Sequence, residues 1–247
     1  MNIFRTCIGV TLLGAVLGIA QDEGVNLLGE QAETVFPKMV RVQVEFIEVP
    51  HETMTELLAE PRKGTNDAPL RAKLQELVKE EKAKIIETQM VTARSGQKAA
   101  SESVHEFIFP TEYNPPEIPI SIGAGSPSPR PRTDPRTPVA WETHNLGSTL
   151  EIEPNIAADD KLIDLRVLPR LGYHTGNKVW HEETVGKNTL KIQMPDLYKI
   201  ITETSMSMIA GQPYLMAAVS PKNEKGEADF TKKVLIFVRA DVLTVSK

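Results

Sequence analysis

Val40-Arg41-Val42-Gln43-Val44-Glu45-Phe46-Ile47-Glu48-Val49 decides how the rest of the sequence is read. Val40, Val42, Val44 and Phe46 fall on one side of an extended chain, with Arg41, Gln43 and Glu45 on the other. That period of two marks a half-buried β-strand. Ile47 follows Phe46 directly and breaks the phase, which predicts a bulge or a change of face. Near the other end, Val234-Leu235-Ile236-Phe237-Val238 is apolar without alternation, as expected of a strand covered on both faces. A sheet with a second layer packed on it follows, that layer being another sheet or helices.

Two helices are expected after the first strand. Residues 51–60 carry Met54, Leu57 and Leu58 at helical spacing and stop at Pro61. Asn66 or Asp67 can cap the second helix, with Pro69 in its first turn. Its apolar stripe is Leu70, Leu74, Leu77 and Val78. The charged run 79–84 reads as the solvated side of that helix. Residues 84–93 and 99–109, around a turn at Ser95-Gly96-Gln97, predict a hairpin. Further strands are expected at 149–156, 161–168, 178–183, 189–194, 198–209, 214–219 and 233–245. Residues 114–138 hold eight prolines in 25 positions. Each lacks a ladder donor, so a flexible, disordered loop is expected, with Arg130, Arg132 and Arg136 as solubilising charge.

The 247-residue chain is 40% hydrophobic and 25% charged, an ordinary globular balance. Its net charge of -5 leaves no electrostatic footprint for nucleic acid. Residues 1–20 read as a secretory signal, with Arg5 before an apolar run and Gly18-Ile19-Ala20 at a cleavage site. That run falls short of the roughly 20 residues that span a bilayer, so no spanning helix is expected. Cys7 is the only cysteine and lies inside it, so the mature chain should hold neither a disulfide nor a thiolate metal site. Residues 21–36 are expected to be a leader and 37–247 one domain containing the flexible loop at 114–138. Export to the periplasm or outer membrane is the expected destination.

Constellations for chemistry are weak. His174 and His181 with Glu182 or Glu183 lack ligand spacing across a Gly176-Asn177 turn signal, and read as exposed histidines. Ser101, Ser103 and His105 share a strand face without a third orienting group, and no nucleophile elbow occurs. Asp159 and Asp160 are read as fixing a turn. Met206 and Met208, with Thr202 and Thr204, read as core filler rather than a ligand groove. Trp141, Tyr113, Tyr173 and Trp180 would form a sugar platform only if brought together. No catalytic residue, cofactor or metal is expected, and the chain is not read as an enzyme.

Several stretches together resemble the C-terminal core domain of the secretin family, the ring-forming proteins of type II and type III secretion and of type IV pili. Val42 to Val49 is similar to the family's opening strand, with its Ile47-Glu48-Val49 ending. Arg94-Ser95-Gly96-Gln97 and Ala210-Gly211-Gln212 resemble its Gly-Gln turns. Gly147-Ser148-Thr149-Leu150-Glu151-Ile152-Glu153-Pro154 resembles its Gly-x-x-Leu-x-Val-x-Pro strand, and residues 161–169 and 233–243 look like strands that follow. The motif residues Glu48, Gly96, Gln97, Gly147, Pro154, Gly211 and Gln212 are given structural roles only. The family's N-terminal periplasmic domains find no room here, and its membrane-inserting hairpins are replaced by helices and the proline-rich loop. A self-sufficient pore is therefore not expected.

The expected fold is α+β: β-rich, secretin-core-like sheets of antiparallel and mixed strands, with two short helices near the N-terminal side. The resemblance implies a non-catalytic envelope protein, small and secretin-like, accessory to or part of a type IV pilus or a type II or III secretion assembly. Its implied partners are other envelope proteins, a secretin ring included, and copies of itself; membrane association would not need a spanning helix. The alternative is a stand-alone surface or periplasmic module binding glycan or host protein.

Overall fold

A computed structural model describes residues 37–244, apart from 60–63, 65, 115–137, 186–187 and 224. The signal, the leader and nearly all of the proline-rich loop lie outside the described residues. The elements run β1 (Met39–Pro50), α1 (His51–Ala59), α2 (Ala68–Lys79), β2 (Lys84–Arg94), β3 (Ala99–Tyr113) and β4 (Pro138–Ile156). They continue with β5 (Leu162–Val185), β6 (Asn188–Ile201), β7 (Thr204–Ile209), β8 (Pro213–Val219) and β9 (Lys232–Leu243). One sheet has the order β2-β1-β9-β8; the other has β3-β4-β5-β6, with β7 also against β5. Every pairing between these strands is antiparallel, so the expected mixed strands do not occur among them.

The opening decapeptide is the centre of this arrangement. Val40, Val42, Val44 and Phe46 are fully buried against the second sheet, together with Leu150, Ile152, Ile163 and Leu165. Ile47 and Val49 point the other way, into a smaller core with Leu70 and Leu74 of α2. Both readings of Ile47 hold. The helices make its face apolar, and the register with β2 steps from Phe46↔Glu87 to Ile47↔Ile85, leaving Ile86 as the extra residue. Against β9 the register is unbroken. β9 is apolar throughout for the same reason: Val234, Ile236 and Val238 face the second sheet, while Leu235 and Phe237 face the helices.

The chain crosses between the sheets twice, at β2–β3 and at β7–β8, and both crossings are Gly-Gln turns. Gly96 (φ 75°) and Gly211 (φ 80°) adopt backbone that favours glycine. The Gly96 amide donates to the Pro154 carbonyl at 2.7 Å, and the Gly211 amide to Ala240 at 2.7 Å. Each turn is thus tied to a strand of the sheet that the chain is about to enter. This corrects the expected hairpin of residues 84–109, because β2 pairs with β1 and β3 pairs with β4.

Other departures have local causes. The run 79–84 is not the side of a helix but its end. Lys82 N–H donates to Leu77 O at 2.9 Å and Glu81 N–H to Val78 O at 3.2 Å, with Glu81 at φ 59°. This is a Schellman ending with Glu where glycine is usual. Gly176-Asn177 is not a turn either; β5 runs through it, with register shifts on both sides that absorb the irregular residues. The expected strand 198–209 divides into the end of β6 and all of β7, because β5 changes partner there. Pro169, which has no N–H, sits at the changeover and accepts from Thr202 N at 3.3 Å.

Candidate functional site

The second sheet outgrows the core. β4 and β5 pair from Ile156↔Ile163 to Gly147↔Gly172 and no further. Past that point β3 and β4 continue as one two-stranded ribbon, residues 104–113 with 138–146. β5 and β6 continue as another, residues 173–185 with 188–198. At about 3.3 Å per residue, the second ribbon is about 40 Å long.

Gly147 makes the separation possible. Its φ is 132°, and a Cβ there would overlap the Ser103 carbonyl oxygen and stand 2.9 Å from Val104 Cα. No side chain fits between β3 and β4 at that point. Pro154 lies beyond the last β3 partner of β4, where a missing N–H costs no ladder bond, and its carbonyl receives Gly96. Glu48 accepts from Lys232 Nζ at 3.0 Å. Gln97 N–H donates to Arg94 O and Gln212 N–H to Ile209 O, closing the two turns. The seven motif residues therefore lie at turns, ladders and crossings rather than in one cleft.

The sheet edges differ in their protection. The β8 edge is occupied: Asp67 N–H donates to Pro213 O at 3.2 Å, and the Asp67 carboxylate accepts from Leu215 N–H at 2.7 Å. Asp67 thus stands in for one residue of a neighbouring strand, instead of capping α2 with its side chain. Asn66 takes the local role, accepting from Ala68 N–H at 2.8 Å. β3 on one side, and β6 with β7 continuing it along β5 on the other, end the second sheet with no further strand beside them among the described residues, as β2 ends the first. β3 carries Glu102, Glu106 and Glu112 and neither Lys nor Arg, whereas β6 carries Lys191, Lys199 and Asp196.

One face of the first ribbon leaves apolar side chains uncovered among Glu106, Thr143 and Asn145. Val104, Ile108 and Trp141 share it, Trp141 opposite Pro110, and Trp141 is 60% exposed. Its other face turns Phe107, Phe109, His144 and Leu146 toward the second ribbon. His174 of β5 stacks on Phe107 at 5.0 Å, Phe109 lies 6.1 Å from Phe107, and His144 stacks on Phe109 at 5.6 Å. The sequence reading missed this ring ladder, although Phe107 and Phe109 at period two were its visible signal.

The other residues singled out in the sequence have these places in the fold. His174 bonds Asn177 at 2.8 Å, His181 lies in the ladder opposite Ile192, and no group of three or more metal-ligating side chains gathers among the described residues. Ser101, Ser103 and His105 are exposed on β3. Asp159 fixes its turn by accepting from Lys161 and Leu162 N–H, and Asp160 pairs with Lys38 at 2.5 Å. Met208 is buried in the main core with Met206 packed beside it. Of the four proposed platform residues, Tyr173 packs edge-on against Tyr198 instead, and no ring contact joins any two of the four among the described residues. Burial, with Tyr198 and Glu48 nearby, pushes the Tyr173 phenol up to about 12.

No helix among the described residues is long and apolar enough to cross a membrane. A cavity of about 450 Å³ lies between α2 and the outer side of the first sheet. Arg71 is among the residues that line it and forks onto Glu45 at 2.6 and 3.1 Å.

No known protein family matches the sequence, and no curated protein does. Among solved structures, the chain is similar to the secretin-domain β-barrel of InvG from the Salmonella SPI-1 injectisome. There the TM-score is 0.38 at 9% identity, over 85% of this chain and 62% of that one. Aeromonas hydrophila ExeD gives 0.41 at 10%, over 84% and 49%. The V. cholerae type IV competence pilus secretin PilQ gives 0.36 at 12%, over 84% and 60%. The chain spans less than two thirds of the length of each.

Proposed function

We propose that this chain is a non-catalytic, exported component of a cell-envelope assembly, of the kind that serves a type IV pilus or a type II or III secretion machine. It acts through protein–protein contact, by joining the β3 edge of one copy to the β6 edge of the next or to a related ring. The observation that carries this reading is the contrast between edges: β8 is closed by Asp67, while β3 and β6 are open and differ in charge. An open edge offers unpaired backbone donors and acceptors to a matching strand. Four strands alternating in direction leave β3 and β6 antiparallel to each other. A rotated copy can therefore set its β3 against β6 and continue the antiparallel order without interruption. The two edges differ, so the contact is head to tail and closes a ring when the rotation divides the circle.

Cysteine pairs scanned along β3 and β6, in a Cys7→Ser background, test this. Disulfide-linked ladders of copies are expected at one register. Folded protein that cross-links at no register would overturn the reading. The exposed Trp141 and Trp180, the latter 70% exposed in a bulge of β5, favour a second reading as a stand-alone glycan- or protein-binding module. Glycan-array binding lost on Trp141→Ala or Trp180→Ala would support that reading against the first.

A further inference from the structure

We propose that His144 is a pH-sensitive latch between the two ribbons, closed when neutral and released by acid. Past Gly147↔Gly172 no ladder bond joins the ribbons, so side chains alone hold them together. The ring ladder is one such tie. Beside the rings and buried Leu146 stands a polar tie: His144 Nδ1 lies 3.3 Å from Lys199 Nζ of β6, while its Nε2 lies 3.0 Å from Glu142 Oε1 on its own strand. These partners assign the tautomer. An ammonium only donates, so Nδ1 carries the lone pair and the ring proton is on Nε2, the nitrogen that faces the Glu142 carboxylate.

Protonation at Nδ1 removes that acceptor and faces an imidazolium with an ammonium at the same distance. The cross-ribbon bond becomes repulsion between like charges, whereas the pair with Glu142 strengthens. The charged ring stays with the first ribbon and lets go of the second. The other groups about this contact are few. His174 of β5 is two ring contacts away on Phe107 and bonds Asn177; its protonation favours the stack through a cation–π contribution and opposes release. His105, opposite Leu146, and Glu112, which the bulge at Thr111 brings onto the same face opposite Ala140, are the other titratable groups on that face of β3. Acidification is therefore the signal that this contact reads. It does not depend on the edge-pairing reading, because it lies within one copy.

The test measures a spin-label distance in the full chain carrying Cys7→Ser, with labels at Glu112→Cys on the first ribbon and Glu182→Cys on the second. The distance distribution is expected to shift to longer values between pH 8 and pH 5.5. His144→Asn keeps an acceptor near the Nδ1 position without titrating, and should hold the short distance at both pH values. Lys199→Met should remove the pH response. A wild-type distance that does not change, or one that changes equally in His144→Asn, would overturn the latch.

Discussion

Gly147 and Gly172 form the last cross-strand pair between β4 and β5, and the two glycines are not equivalent. Gly147 combines φ 132° with overlap against β3, whereas a Cβ on Gly172 meets only ordinary contacts, the nearest being Lys199 Cγ at 3.5 Å. The point where the ribbons part therefore depends on one glycine more than on the other.

Gly147→Ala is expected to cost about 2 kcal/mol or more, from strained backbone and collision with Ser103. Gly172→Ala should cost less than about 1 kcal/mol. Urea unfolding midpoints of the two variants compare them directly, and equal losses would contradict the distinction.

Asp67→Ala leaves the Leu215 N–H at the β8 edge without its acceptor. A loss of about 1–3 kcal/mol is expected, the cost of an unsatisfied donor. Asp67→Asn keeps an oxygen there and should recover most of it. Aggregation should rise in the alanine variant alone, read by light scattering, because the edge it opens is a template for pairing.

Arg71 and Glu45 are both largely buried, with side-chain exposures of 17% and 16%. Their forked contact should give a coupling of about 1–3 kcal/mol in a double-mutant cycle. The more exposed Lys98–Glu151 pair, although Lys98 holds Glu151 below the usual carboxylate range, should give a clearly smaller coupling. Couplings of similar size would show that burial is not what separates them.

Glu81 holds a left-handed conformation at the end of α2. Glu81→Gly relieves that strain and is expected to raise stability by about 0.5–1 kcal/mol. A lower thermal midpoint would mean that the Glu81 side chain contributes more than its backbone costs.

Tyr173 gives a pH dependence of known sign. Its phenol ordinarily titrates at 10.0 and is pushed up to about 12 in the fold, chiefly by burial. Between those values the unfolded chain has released the proton and the folded chain has not. Stability is full below pH 10 and falls as pH rises toward 12. Tyr173→Phe should flatten that decline, measured by urea unfolding across the interval.

Much of this was legible in the sequence because burial on two faces leaves a direct imprint. The alternation from Val40 to Phe46, the switch at Ile47 and the unbroken apolar run of β9 locate both cores. The ribbons were less legible. Residues 138–148 and 172–177 face solvent on at least one side, so no apolar period marks them as strand. Gly176-Asn177 mimics a turn that the β5–β6 ladder overrides. The Gly-Gln turns were visible as turns, but whether each closes a hairpin or crosses between sheets depends on bonds to Pro154 and Ala240, far along the chain. Asp67 was visible as a cap, and its reach to β8 was not.

The most direct test of edge-to-edge assembly is the native mass of the protein gently extracted from the cells that make it. A large particle of many copies, or co-migration with a secretin ring, is the predicted result. A monomer or small oligomer, soluble without detergent, would contradict it.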